Sequence, residues 1–429
     1  MAEKILDKQD PKLKSLTVEH DSPAPREIPQ DEFVMRRVGR PLRHVKHIPV
    51  KSLMFYSKHH TPHFSYETKI RTPIDKGKLV VQVRSVGLNP LDLKIINGFT
   101  SNMNFETGIG REYSGVISEV GDDLRGRCKE GDEVYGLYFH LYKGMGTLAS
   151  SILVDPTVDI IVPKPPNLSF ESASGSLYCL GAAFNILDKL EQQGSLNENS
   201  VILINGGTTS VGIFALQLLK YHYRVQKKVV IVTSGYGSVF LKSKFPDLVD
   251  EMLFINYTTC SGGKIHKPLE SMINNNELID YDSETGQPIS TPYDQGKFTV
   301  ILDFIGGYDL VAHTGTLLKS SGSYVTTVGD YKANYTKDYY NTWDTPRANA
   351  RKLFGKMLWS LNYTHFDFDP SVKSAQKNDW VSKCAELLES ETVKCVVDKV
   401  YNWKKHEEAF GYLKRGHAHG KVILNVEKF

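Results

Sequence analysis

The chain has 429 residues, 40% hydrophobic and 24% charged, with a formal net charge of +3. That length allows two or more domains with sizeable cores, and the balance is that of an ordinary soluble globular protein. No residue type dominates and the net charge says nothing strong about partners, while the five scattered cysteines argue against a disulfide framework and for a reducing compartment, and leave no zinc site of cysteine type.

The N-terminus, "MAEKILDKQDPKLK", is charged from its third residue and has no apolar core of a secretory signal. Ala2 stands where N-myristoylation needs glycine, and "NVEKF" is no prenylation box. Apolar runs such as "VVIV", Val229 to Val232, are strand-sized and too short to span a bilayer. A cytosolic protein, or one lying on a membrane, is expected.

Residues 1–46 read as a disordered charged extension, without a period of 2 or 3.6. It ends in a basic run, "RRVGRPLRHVKHIPVK", Arg36 to Lys51, which carries Arg36, Arg37, Arg40, Arg43, Lys46 and Lys51 and no acid. One reading is a solvated basic linker. Another is a patch for anionic lipids, where each Lys or Arg contributes about 1 kcal/mol. Nucleic acid ranks last, because no stacking aromatic is interleaved with the charges.

Residues 47–173 alternate short strands with Gly and Asp turns ("KLVVQVRSVGL", "YSGVISEVG", "DEVYGLYF") and predict a mostly β module. A proline-rich hinge, Pro163 to Ala173, closes it, with Ser169 as a helix N-cap. Residues 174–344 then alternate strand and helix, which predicts a parallel doubly wound sheet. A polar stretch near 258–297 is expected to be a surface insertion. Residues 345–429 are expected to return to the first module. Trp403, Phe410 and Leu413 have helix spacing and read as core.

The chemistry concentrates in "VILINGGTTSVGIFALQLLK", Val201 to Lys220. A buried strand enters a glycine turn and an apolar helix follows, the context a dinucleotide fingerprint needs. The candidate cradle is Gly206, Gly207, Thr208, Thr209, Ser210, Val211 and Gly212, with free N–H groups and the helix dipole favouring a pyrophosphate. Thr209 stands where the middle of the turn is normally glycine; it takes clearance and offers a hydroxyl. Thr233 and Ser234 end the next strand, and Gly306 and Gly329 end two later ones. No acid lies between Glu198 and Asp247 to hold a ribose 2′-hydroxyl, so NADPH is favoured, with Ser234, Lys242 or Lys244 near its 2′-phosphate. His59, His60, His417 and His419 read as surface or packing residues, since no ligand partner is near in sequence.

Six segments in order, "VGLNPLDLKIING", "GREYSGVISEVGDDL", "EGDEVYGL", the Gly206 turn, "FTVILDFIGG" and "AHGKVILNV", resemble the medium-chain dehydrogenase/reductase superfamily in its zinc-free, quinone-oxidoreductase-like branch. The resemblance implies a GroES-like domain of two chain segments around a Rossmann domain, with the nicotinamide between them. The zinc-dependent alcohol dehydrogenases carry Cys where this chain has Asn89 and His where it has Arg111; Glu112 alone matches, and no metal is implied. Asn89 would lie near the nicotinamide as the tentative catalytic residue. Asp92 and Tyr113 are further polar candidates, though turn closure and packing are commoner fates. Edge-paired homodimers are also implied.

The charged extension, the "RPLRHVKHIPVKSL" junction and the insertion before "GKFTVILDFIGGYD" resemble more narrowly the fungal Ast subgroup. That likeness implies a peripheral, raft-associated factor that targets the plasma-membrane proton ATPase to the cell surface. The alternative is a zinc-free NADPH-dependent reductase of quinones or enones. Fold alone decides neither.

Overall fold

The computed structural model describes residues 45–56, 61–98, 106–139, 144–281, 287–332, 350, 351, 354, 355, 357 and 361–427. His59, His60, Arg36, Arg37, Arg40 and Arg43 lie outside them. The α/β class expected from the sequence is the class observed.

The first domain is a seven-stranded sheet. Its long strands, Leu79–Leu88 and Glu112–Val120, pair antiparallel and are buried along most of their length. Strand Lys421–Asn425 pairs antiparallel with Leu79–Leu88, and Val397–Asn402 pairs parallel with Lys421–Asn425. The sheet is therefore completed from the far end of the chain. Its core holds Val81, Val86, Ile117, Leu424 and Phe410.

The second domain is a six-stranded, wholly parallel sheet. Numbered within the sheet by chain order, its strands run 3-2-1-4-5-6, from Met252–Asn256 through Val229–Thr233, Ile202–Asn205, Phe298–Asp303 and Leu318–Thr326 to Asn362–His365. That order reverses between Ile202–Asn205 and Phe298–Asp303, and ligands of such sheets bind at this switch point. The inner strands are buried on both faces, which is why "VILIN" and "VVIVT" read as continuous apolar runs. Ser169 caps Phe170–Ser174 by accepting from the Ser172 N–H at 3.1 Å, as its place in the hinge predicts.

Two sequence boundaries shift. The return to the first domain does not begin at 345. Asn362–His365 is the sixth strand of the parallel sheet, and helix Trp380–Glu389 packs on helix Leu177–Gln192. Trp380 is fully buried, and a Cβ on Gly181 would come 2.5 Å from its ring. The apolar side chains of that helix, Trp380, Cys384, Leu387 and Leu388, follow helical spacing toward this contact. The crossing back falls between Glu389 and Val397.

Nor is the stretch 258–297 a surface insertion throughout. It contains helix His266–Asn275, whose Leu269 and Met272 are buried against the sheet. The hairpin Glu277–Tyr281/Pro288–Pro292 is the part that stands out, with Ile279 and Ile289 exposed. No helix among the described residues is long and apolar enough to cross a membrane.

Candidate functional site

A cavity of 520 Å³ opens at the switch point. Its floor is the Gly206 turn. Gly206 has φ of 90°, a conformation L side chains rarely adopt, and a Cβ there would meet Ile305 at 2.8 Å. A Cβ on Gly207 would come 2.2 Å from Ile231, and one on Gly212 2.3 Å from the Gly206 carbonyl. These glycines let strand, turn and helix close on one another.

Thr209 differs. Its backbone, φ −65° and ψ 154°, is ordinary extended geometry and needs no glycine. Its hydroxyl donates to the Gly206 carbonyl at 2.7 Å and accepts from the Gly212 N–H at 3.0 Å, capping helix Ser210–Gln217. The threonine thus occupies one orphan N–H and leaves the helix dipole facing the cavity.

Gly206, Thr208, Thr209, Thr233, Ser234 and Gly306 line the cavity. Gly207, Ser210, Val211, Gly212, Gly329 and Asn89 do not form its wall. Thr208 and Thr233 share a hydroxyl contact at 3.2 Å, and Ser234 caps helix Gly235–Lys244. Lys242 and Lys244 sit in the last turn of that helix, over Phe254 and Phe240, and do not reach the cavity. Among the described residues, Lys332 brings a lysine ammonium to the wall.

Sequence reading missed further walls. Asp303 ends its strand with a carboxylate that accepts from Asn205 Nδ2 at 2.7 Å, Tyr324 OH at 2.7 Å and the Gly306 N–H at 2.9 Å. Burial pushes this carboxyl up, against the pull of those hydrogen bonds. An acid closing a parallel strand beside the glycine pair "GG" was the available signal. His417 and His419 also border the cavity. Burial moves His419 below the usual histidine range, and its backbone N–H donates to Asp398 at 3.0 Å.

Asn89, Glu112, Cys179 and Lys421 form a buried polar cluster behind the turn. Lys421 Nζ lies 2.6 Å from Asn89 Oδ1, 2.8 Å from Glu112 Oε2 and 3.6 Å from Cys179 Sγ. Asn89 Nδ2 donates to Glu112 at 3.1 Å, so its amide is occupied on both sides. Burial would lower the Lys421 pKa, but the thiol and carboxylate around it outweigh this and raise it. Asp92 accepts from the Asn89 N–H at 2.8 Å and closes that turn; burial pushes its carboxyl up to about 6. Tyr113 is fully buried, its hydroxyl 3.5 Å from the Ile160 carbonyl. Neither Asp92 nor Tyr113 faces the cavity.

The basic run divides. Lys46 is exposed in strand Lys46–Pro49. Lys51 instead holds its ammonium 3.9 Å from the Trp403 ring centroid and 5.2 Å from that of Tyr66.

Two family models match. "Alcohol dehydrogenase GroES-like domain" matches residues 75–166, and "Zinc-binding dehydrogenase" matches 275–424. The quinone oxidoreductase from Coxiella burnetii superposes with a TM-score of 0.62 at 19% identity, covering 89% of this chain and 100% of that one. Protein AST1 of Saccharomyces cerevisiae is 55% identical and Protein AST2 56% identical, each over 100% of both chains. The two family models place the chain among the medium-chain dehydrogenases/reductases, and its fold is the one the quinone oxidoreductase shares. Within that superfamily the chain belongs to the Ast family.

The second model's description raises the question of zinc. A zinc site needs N, S or carboxylate donors around open space. At Asn89, Glu112 and Cys179 that space is filled by the Lys421 ammonium, and Arg111 points away to the Gly108 and Gly110 carbonyls at 3.0 and 2.6 Å. His266, Asp309 and His313 also gather beside the cavity, but the two imidazoles stack 3.6 Å apart at 3°. Parallel planes share no point where a metal could lie in both rings. Neither group fits a metal as it stands.

Proposed function

We propose that this chain is a dinucleotide-binding protein of the reductase fold that works as a peripheral factor in delivering the plasma-membrane proton ATPase to the cell surface. The full-length identity to the two Ast proteins carries the cellular half of this reading, because the charged extension and the 258–297 segment are matched along with the fold. The cavity over the Gly206 turn supports the ligand half. Its wall offers a helix N-terminus for a pyrophosphate and Lys332 for a further phosphate, and no ribose-binding acid follows Ser234, which favours NADPH. Anionic lipid is the surface partner the basic run suits, and the nucleotide then serves as a structural or regulatory ligand.

A second reading is hydride transfer from NADPH to a quinone or enone. The open cavity favours it. Against it, Asn89 is held inside the Lys421 cluster and presents no free group to a substrate.

The test expresses the chain in S. cerevisiae lacking both Ast proteins and measures the fraction of proton ATPase at the cell surface. A rise over the empty vector supports the trafficking role. An unchanged fraction with the protein well expressed rejects it. Rejection together with quinone-dependent NADPH oxidation would establish the reductase instead.

A further inference from the structure

Strand Val397–Asn402 ends the seven-stranded sheet, and the turn Trp403–Lys405 and helix His406–Lys414 fold back beside it. This corner interleaves rings with bases. Lys399 Nζ lies 4.1 Å from the Tyr412 ring centroid, and the Arg415 guanidinium 5.4 Å from it. Tyr401 meets Tyr412 with centroids 6.3 Å apart. Two residues on, the half-buried Trp403 has Lys404 Nζ 5.4 Å from its centroid and the edge of Phe64 at 5.2 Å. Lys51 is half-buried here, but Lys399, Lys404 and Arg415 are exposed, so each leans on a ring and still faces solvent. Val400 and Tyr66 add exposed apolar surface.

The charge of the corner is positive. From Val397 to His417 the chain carries five bases and three acids. Asp398 is turned into the fold, accepting from Tyr412 OH at 2.7 Å and the His419 N–H at 3.0 Å. Glu408 sits 3.5 Å from Lys405, which leaves Glu407 against the other bases. Trp and Tyr rings settle where apolar material meets water, and Lys and Arg seek anionic headgroups. A nucleic-acid strand would instead stack on open ring faces. Here cations cover Trp403 and Tyr412, and the aliphatic Val400 offers a base nothing to pair with.

We infer that this corner is a folded membrane-contact face: Trp403, Tyr401 and Tyr66 seat at the headgroup level of an anionic leaflet, and Lys399, Lys404 and Arg415 engage its phosphates. The inference rests on the proposed pairing with anionic lipid and gives it a place in the fold. The basic run ends at this corner, because Lys51 lies over Trp403, so run and face are joined by the chain and act on one leaflet. The end of the first domain's sheet then lies on the bilayer.

Full-length wild type, Lys399→Gln/Lys404→Gln/Arg415→Gln and Trp403→Phe are floated with vesicles of phosphatidylcholine and phosphatidylserine in equal parts. Tryptophan quenching is read on the same lipids with brominated acyl chains, and circular dichroism checks folding. The triple variant should bind about a hundredfold more weakly. Trp403→Phe should still bind but lose most of the wild-type quenching, since Trp380 is fully buried. Triple-variant binding equal to wild type, or quenching undiminished in Trp403→Phe, overturns the face and leaves lipid binding to the basic run alone. A wild type that binds no vesicle overturns the face and the lipid reading together. Binding of a single-stranded oligonucleotide in place of vesicles overturns both and assigns the corner to nucleic acid. Because its three bases are exposed, the triple variant decides alone if Trp403→Phe does not fold.

Discussion

Replacing Thr209 by valine keeps the shape of the side chain and removes only its hydroxyl. Two hydrogen bonds go with it, to the Gly206 carbonyl and from the Gly212 N–H. Loss of such a cap costs about 1 kcal/mol, and up to about 2 kcal/mol in well-formed helices. Gly212 is buried, so water cannot readily replace the lost acceptor and the upper part of that range applies. For a chain of this size the melting temperature should fall by about 2 °C. Thr209→Ser should match wild type, and Thr209→Gly should lose only a few tenths of a kcal/mol. Differential scanning calorimetry of the four proteins under one buffer decides it. A Val variant as stable as wild type would refute the cap. NADPH affinity in Thr209→Gly should stay within about tenfold of wild type, a change of about 1.4 kcal/mol, since the backbone at 209 already has the geometry a helix start requires.

The Asp92 carboxyl is pushed up to about 6 from an ordinary 3.8. A folded value above the unfolded one means that its stabilising contribution is full below about pH 4 and lost as pH rises through about 6. Asp92→Asn keeps an acceptor for the Asn89 N–H and abolishes this loss. Urea unfolding should show the variant gaining on wild type by about 3 kcal/mol between pH 4 and pH 7.5; parallel pH profiles would contradict it. Gly206→Ala strains a φ of 90° and sets a methyl 2.8 Å from Ile305, so stability should drop by about 1–3 kcal/mol. Its dinucleotide affinity should fall at least about tenfold, since the turn is the cavity floor; unchanged calorimetric binding would count against the site. Arg36, Arg37, Arg40 and Arg43 changed together to Gln should weaken binding to anionic vesicles by about a thousandfold at about 1 kcal/mol each. Lys51→Gln should alter vesicle flotation little, because its ammonium is already engaged by Trp403.

Strands buried on both faces and a glycine turn are local patterns, so the parallel sheet and the floor of the cavity were legible in sequence. The return of the tail to the first module was expected from its strand–helix–strand pattern, but nothing local in "AHGKVILNV" says which strand it joins. Helix His266–Asn275 escaped notice because its few apolar residues are diluted by polar ones, although Leu269 and Met272 are spaced for one face. The cofactor domain was ended too early because Asn362–His365 is short and only partly buried. Lys421 and Asn89 meet across 332 positions, and no spacing rule reaches that far. The same holds for His417 and His419, which become cavity walls only when the last segment folds back over the Gly206 turn; the Gly420 N–H donates to the Thr208 carbonyl at 2.9 Å. Thr209 was read as taking clearance and offering a hydroxyl donor, but the glycine pattern is silent on its role as a helix cap.

The cavity over the Gly206 turn is central to this account. Titration of the purified full-length protein with NADPH and with NADH, following nicotinamide fluorescence and thermal stability together, tests it directly. Saturable micromolar binding of NADPH, tighter than NADH and accompanied by a rise in melting temperature, is the predicted result. No binding of either nucleotide at millimolar concentration would contradict the dinucleotide site and leave the fold as a scaffold for the surface interactions alone.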